Sequence, residues 1–241
     1  YSNNRAHRRE YARNCAVRMD DDCSLHEVKA VLNHLDSLKA VHNVYFTERP
    51  PATAADLSAW EAEHVPLRLP QDLKDFLLVS NGLELRWNVQ HLAEALPLGC
   101  MHLNSISQLL PCADEVTHDE FGRLAAELPA ATERVVDLDT KCEGGRVCLV
   151  PCGRAEMQVW FQDLACRWSF IANSFTDYFR LMVLHLGLPR WQYAYTEVGL
   201  DPIARQWARL VAPERLALVP GTNGAVLELR HAPALPPTRV K

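Results

Sequence analysis

Thiols, imidazoles and paired carboxylates are the side chains of this sequence that could carry chemistry. Cysteines stand at Cys15, Cys23, Cys100, Cys112, Cys142, Cys148, Cys152 and Cys166, and there are ten histidines. A structural zinc site needs donors at short fixed spacings, because four of them must converge on one tetrahedral ion. No Cys-x-x-Cys and no His-Glu-x-x-His occurs. The tightest group, Cys142, Cys148 and Cys152, lies around a strand-like apolar run and reads as buried structural thiols. Scattered cysteines in a sequence with no recognisable leader are expected to stay reduced.

Two carboxyl groups held in different environments can divide acid from base work. Asp137 with Asp139, and Asp119 with Glu120, are the pairs on offer. Asp137 and Asp139 alternate along a strand-like stretch, which places both on its polar face, and Asp119 with Glu120 belongs to an acidic loop. Neither pair is expected to be catalytic. No Gly-x-Ser-x-Gly elbow, Gly-Lys-Ser/Thr phosphate loop or Gly-x-Gly-x-x-Gly occurs. Glu143-Gly144-Gly145 reads as a hairpin turn, since a phosphate cradle requires a following helix N-terminus. No catalytic, metal-binding or cofactor-binding residue is assigned, and no cofactor is expected.

The remaining candidates are surfaces. In "LPRWQYAYTEVG", Trp191, Tyr193 and Tyr195 alternate, and Trp207 follows; with Trp87 they form a candidate protein interface, aromatics being enriched where proteins meet. Trp87 and Asn88 are also where a ligand pocket would sit at the sheet edge. Arg5, Arg8, Arg9 and Arg13 stud the N-terminal arm as candidate contacts to an acidic surface. Overall, 25 Lys and Arg against 30 Asp and Glu give a net charge of −5. That balance lacks the positive field that drives nucleic-acid binding, and no apolar run reaches the ~20 residues of a membrane span. Neither nucleic acid nor membrane is an expected partner.

Those residues must be positioned by helices and strands. Ser24 and Glu27 form a capping-box pattern before Val28, Leu32 and Leu35 at helical spacing. Thr53 and Asp56 repeat it after a Pro-Pro linker, with Leu57 and Trp60 on one face. In "LPQDLKDFLLVSNGLEL", Pro70 suits a first helical turn, Asp72 complements the helix dipole, and Leu69, Leu73, Phe76, Leu77 and Ser80 share a face; Asn81-Gly82 ends it. Short β-branched and aromatic runs follow, "LELRWNV", "LPLGCMHL", "RVVDLD", "RVCLVPC", "MQVWFQDL" and "CRWSFIA", with Asp163-Leu164-Ala165 as a second turn. They predict a mostly antiparallel sheet of about four to six strands. "NSISQLL" predicts a short helix near Asn104, and the segment from Pro111 to Thr132 an acidic excursion with a helical turn at "FGRLAAEL". Ser174 and Asp177 open a helix whose face is Phe175, Tyr178, Phe179, Met182, Val183 and Leu186, stopped by Gly187 and Pro189. "DPIARQWARL" makes one more, with Asp201 before Pro202.

The fold class is therefore α+β, arranged as a basic N-terminal arm over residues 1–23, an α+β domain over 24–210 and an irregular tail over 211–241. Helix, "LPQDLKDFLLVSNGL", a strand bearing Trp87, and then Pro97 to Gly99 resemble the SUKH superfamily. "RPPATAADLSAWE", "LPLGCMHLNSISQL", "RVCLV" and "VWFQDLACRWSFIANSFTDYFRLMVLHLGLPRWQYAYTEVGLDPIARQW" narrow the resemblance to the tubulin polyglutamylase complex subunit 2 family, from about Phe46 to Trp207. That resemblance implies a non-catalytic scaffold, partnered by other polyglutamylase complex subunits, among them a tubulin-tyrosine-ligase-like catalytic subunit, and by tubulin or microtubules. It also implies a place in the cytoplasm and cytoskeleton, at the cilium or flagellum axoneme, basal body or centriole. The alternative with the same fold is a stoichiometric structural protein of the axoneme. An enzyme or ligand-binding domain with its pocket near Trp87 ranks below both.

Overall fold

Helices begin here where a side chain can take up the unpaired N–H groups of a first turn. The computed structural model describes residues 23–47, 49–91, 94–112, 135–152 and 156–213. Its helices are α1 (Cys23–Ser37), α2 (Ala54–Glu63), α3 (Gln71–Val79), α4 (Phe175–Leu184) and α5 (Pro202–Val211). Thr53 caps α2 through a reciprocal box with Asp56, Ser174 accepts the Asp177 N–H of α4, and Asp201 accepts from Ile203 and Ala204 at the head of α5. Pro70 stands one residue before α3, in extended conformation, and caps it without a side-chain bond. Asp72 has a longer reach than its own helix dipole: one carboxylate oxygen accepts the Thr176 N–H at 2.8 Å and its hydroxyl at 3.1 Å, so the first turn of α3 also caps α4. The basic arm over 1–22, the segment 113–134 with "FGRLAAEL", and the tail from 214 lie outside the described residues.

The strands are β1 (Val41–Thr47), β2 (Leu83–His91), β3 (Glu94–Leu103), β4 (Pro111–Cys112), β5 (Val135–Asp139), β6 (Gly145–Cys152), β7 (Glu156–Asp163) and β8 (Trp168–Ala172). The α+β class is as the sequence reads. Where one sheet was expected, the strands divide into two antiparallel sheets, β1-β2-β3 and β4-β5-β6-β7-β8. Both predicted turns are present, with Gly144 at φ +89 between β5 and β6 and Asp163 accepting the Ala165 and Arg167 N–H groups between β7 and β8. "NSISQLL" forms a 3₁₀ turn, Ile106–Gln108, not an α-helix.

The two sheets join at the ends of β3 and β5. Leu138 O accepts the Asn104 backbone N–H and Asp137 O its side-chain N–H, both at 2.9 Å. One apolar core runs through both sheets and all five helices. Phe76 of α3 meets Phe175 and Phe179 of α4 at ring separations of 5.3 and 5.5 Å inside it. Strand alternation turns Val147, Leu149, Val159 and Phe161 inward and leaves Cys148, Val150 and Trp160 on the opposite face, where a smaller cluster forms with Cys112 and Val135. Among the described residues, no helix is long and apolar enough to cross a membrane.

Candidate partner-binding surface

The residues chosen for chemical type are engaged in holding the fold. Asp139 is buried and accepts from the His102 ring at 2.9 Å and from the Lys141 N–H at 2.9 Å. Simple alternation fails for the Asp137/Asp139 pair because the pairing of β5 with β6 shifts register between them. One carboxylate is therefore interior, while Asp137 stays half-buried beside Arg146 at 3.5 Å. The buried hydrogen bond between His102 and Asp139 runs from β3 of one sheet to β5 of the other and ties the two together. The Cys142 thiol lies 3.1 Å from Gly145 O, and burial, reinforced by the Asp139 carboxylate, pushes its pKa well up. Contact with Cys112 and burial push the Cys148 thiol up in the same direction. A nucleophile or metal ligand must be a thiolate, so these groups are held in the unreactive form. Cys100, Cys112, Cys142, Cys148 and Cys166 are all free thiols. Among the described residues no three His, Cys, Asp or Glu side chains converge as metal ligands. Asp119, Glu120 and the Cys152 side chain lie outside the described residues.

Trp87, expected at an interface or a pocket, is fully buried. It is paired in register with Gly99, and the indole fills the place a side chain at 99 would take. Its N–H donates to Leu186 O at 3.0 Å. Next along the chain, Gly187 O accepts the Cys100 N–H at 2.8 Å. Gly187 has φ +62, and a Cβ there would strike Cys100 O, so only glycine fits. "RWNV" and "PLG" of the paired strands β2 and β3 thus form one joint with the distant "HLGLP", between the three-stranded sheet and the end of α4.

The aromatic run after α4 is a second joint. Trp191–Tyr195 is a 3₁₀ helix, not an alternating extended segment. Trp191 is buried, stacked on His185 at 4.9 Å and 14° and beside Tyr178 at 5.8 Å. Tyr195 is half-buried, and its hydroxyl shares a 3.1 Å hydrogen bond with His185 Nε2. Burial pushes this phenol up to about 12, which keeps the proton on it. Tyr193 donates to Gly144 O at 2.9 Å and meets Phe161 edge-on at 5.3 Å. Arg190 adds ion pairs to Glu143 at 3.0 Å and Asp201 at 3.5 Å. Of the five aromatics singled out, Trp87 and Trp191 offer no area to a partner, because each is spent inside the core. Tyr193, Tyr195 and Trp207 are half-buried, and Arg5, Arg8, Arg9 and Arg13 lie outside the described residues.

The exposed apolar area is one helix further on. In α5, Ile203 and Leu210 are 64% and 66% exposed, with Trp207 at the boundary. The sequence carried this signal as apolar residues at i, i+4 and i+7 of "IARQWARL", yet a helix with that stripe is ordinarily read as facing the core.

The match to known proteins is extensive. Residues 51–181 match the model of the SMI1/KNR4 family (SUKH-1). A human protein named tubulin polyglutamylase complex subunit 2 is 37% identical over 202 aligned positions, covering 74% of this chain and 67% of the relative. The rat and mouse proteins of that name are each 33% identical, covering 74% of this chain and 68% of theirs.

Proposed function

The chain belongs to the SMI1/KNR4 (SUKH-1) family and to the family of tubulin polyglutamylase complex subunit 2, and on that footing we propose that it is a non-catalytic scaffold subunit of a tubulin polyglutamylase complex. In this reading it organises the complex around a separate tubulin-tyrosine-ligase-like subunit and places it on tubulin in the cytoskeleton, at the axoneme, basal body or centriole. The observation that carries the proposal is the extent of the likeness to relatives bearing that name. Its non-catalytic part is supported by the fate of the chemically able groups: the Cys142 and Cys148 thiols are held neutral and the interior carboxylate is bound to His102 and Lys141.

The test is replacement of the chain in ciliated cells. Its removal is expected to lower glutamate-chain signal on axonemal tubulin and to abolish co-purification of the ligase subunit with its companions, both restored by the full chain. Unchanged glutamylation, assembly and ciliary placement would sink the proposal. Regular occupancy along axonemal microtubules without a ligase subunit would favour the structural axonemal alternative.

A further inference from the structure

The surface of α5 is divided lengthwise. At about 100° per residue, Ala204, Ala208 and Val211 fall together; Ala204 is buried, and Ala208 and Val211 pack on the core. The solvent side has an apolar edge of Ile203 and Leu210, bordered by Trp207, which is half-buried against the core, and a basic edge of Arg205 and Arg209, with Gln206 between the two edges. The helix is fixed in this rotation. Asp201 accepts the N–H groups of Ile203 and Ala204 and also pairs with Arg190, itself bound to Glu143. Among the described residues no carboxylate pairs with Arg205 or Arg209; Arg205 reaches only the Leu200 carbonyl, at 3.4 Å.

We propose that α5 is a docking surface for an acidic amphipathic helix contributed by another subunit of the assembly. With 10 residues, α5 offers about three turns. The partner helix would set apolar anchors at i, i+3 or i+4, and i+7 against Ile203, Trp207 and Leu210, the helix-in-groove mode of recognition. Its Asp or Glu side chains would lie along the flank facing Arg205 and Arg209. Charge selects this occupant: paired arginines attract carboxylates, repel a basic flank and gain nothing from a neutral one, setting register and partner choice. This rests on the reading of the chain as a complex subunit.

The test uses the full chain, in cells lacking their own copy, within complexes isolated through the ligase subunit. A photoreactive benzoylphenylalanine in place of Gln206 is expected to capture a carboxylate-bearing amphipathic segment of a different subunit. Ile203→Asp with Leu210→Asp, and separately Arg205→Glu with Arg209→Glu, should each lower recovery of the chain with the ligase at least tenfold, while the isolated chain melts at the wild-type temperature. Changing the captured segment's carboxylates to lysine should restore the Arg→Glu pair and not the Asp pair. Docking is overturned if both variant pairs are recovered as well as wild type. It is equally overturned if the probe captures nothing, residues 214–241 of its own chain, a second copy, or a segment without carboxylates. If the wild-type chain itself is not recovered with the ligase subunit, the complex-subunit reading fails and this inference with it.

Discussion

Trp191–Tyr195 and α5 lie within about twenty residues of each other, and both carry large apolar side chains, yet they are used in opposite ways. The first has the composition associated with interfaces and spends it inward: Trp191 on His185 and Tyr178, Tyr195 on His185, Tyr193 on Gly144 and Phe161. The second packs its small residues inward and leaves Ile203 and Leu210 to solvent. Residue type therefore did not decide which segment faces outward. Helical phase did, together with the anchors at Arg190 and Asp201 that set the rotation of each segment.

The sharpest way to break that comparison is to truncate on the inward side. Trp191→Ala should cost about 3–5 kcal/mol, because it removes a buried ring and leaves a cavity; urea unfolding of the isolated chain measures it, and a loss below about 1 kcal/mol would show that the segment is not a core joint. Tyr195→Phe keeps the ring and deletes one hydroxyl bond, so about 1 kcal/mol is expected from the same measurement.

A polar surface clamp should matter less. Glu61 accepts from Arg68 at 2.9 Å, Lys74 at 3.3 Å and the Leu69 N–H at 3.2 Å. Burial pushes its carboxyl up, but the bonds from Arg68 and Lys74 outweigh that and hold it below the ordinary glutamate range. A pKa depressed by folding adds stability above the unfolded value near 4.3 and loses it as pH falls through the folded value. Glu61→Gln should thus cost under about 1 kcal/mol at pH 7 after solvent screening, with the gap to wild type closing in melts taken below about pH 4. On the outward side, Ile203→Ser and Leu210→Ser should each leave stability within about 0.5 kcal/mol of wild type. A large loss there would show that these side chains are already covered, and the contrast between the two segments would collapse.

Much of the fold was legible because its signals are local. The Thr53–Asp56 box, the Ser174 and Asp201 caps, the glycine turn at Gly144 and the buried face of α3 concern residues within four positions of one another, where backbone geometry dictates the partner. Asp72 was legible only in half: its place in a first turn is local, whereas its bond to Thr176 spans 104 residues. The strand texture was legible but its division into two sheets was not, since alternation says which face is buried and is silent on which strand lies alongside. Asp139 was misplaced for a similar reason. The register shift between Asp137 and Asp139 belongs to the pairing with β6 and leaves no mark on β5 itself. The site was the least legible part, because aromatics with polar handles suit a buried joint as well as an interface.

What the sequence by itself determined was the set of elements, their caps and the family, all written in short-range patterns and in ordered motifs that survive without coordinates. Tertiary structure alone decided which motifs meet. It brought Trp87, Gly99, Cys100 and Gly187 into one joint, tied His102 to Asp139 across two sheets, and turned Trp191 inward while leaving Ile203 and Leu210 outside. The reason is physical: burial and long-range hydrogen bonds are properties of pairs of distant segments, and the faces those segments show each other are set only when they pack.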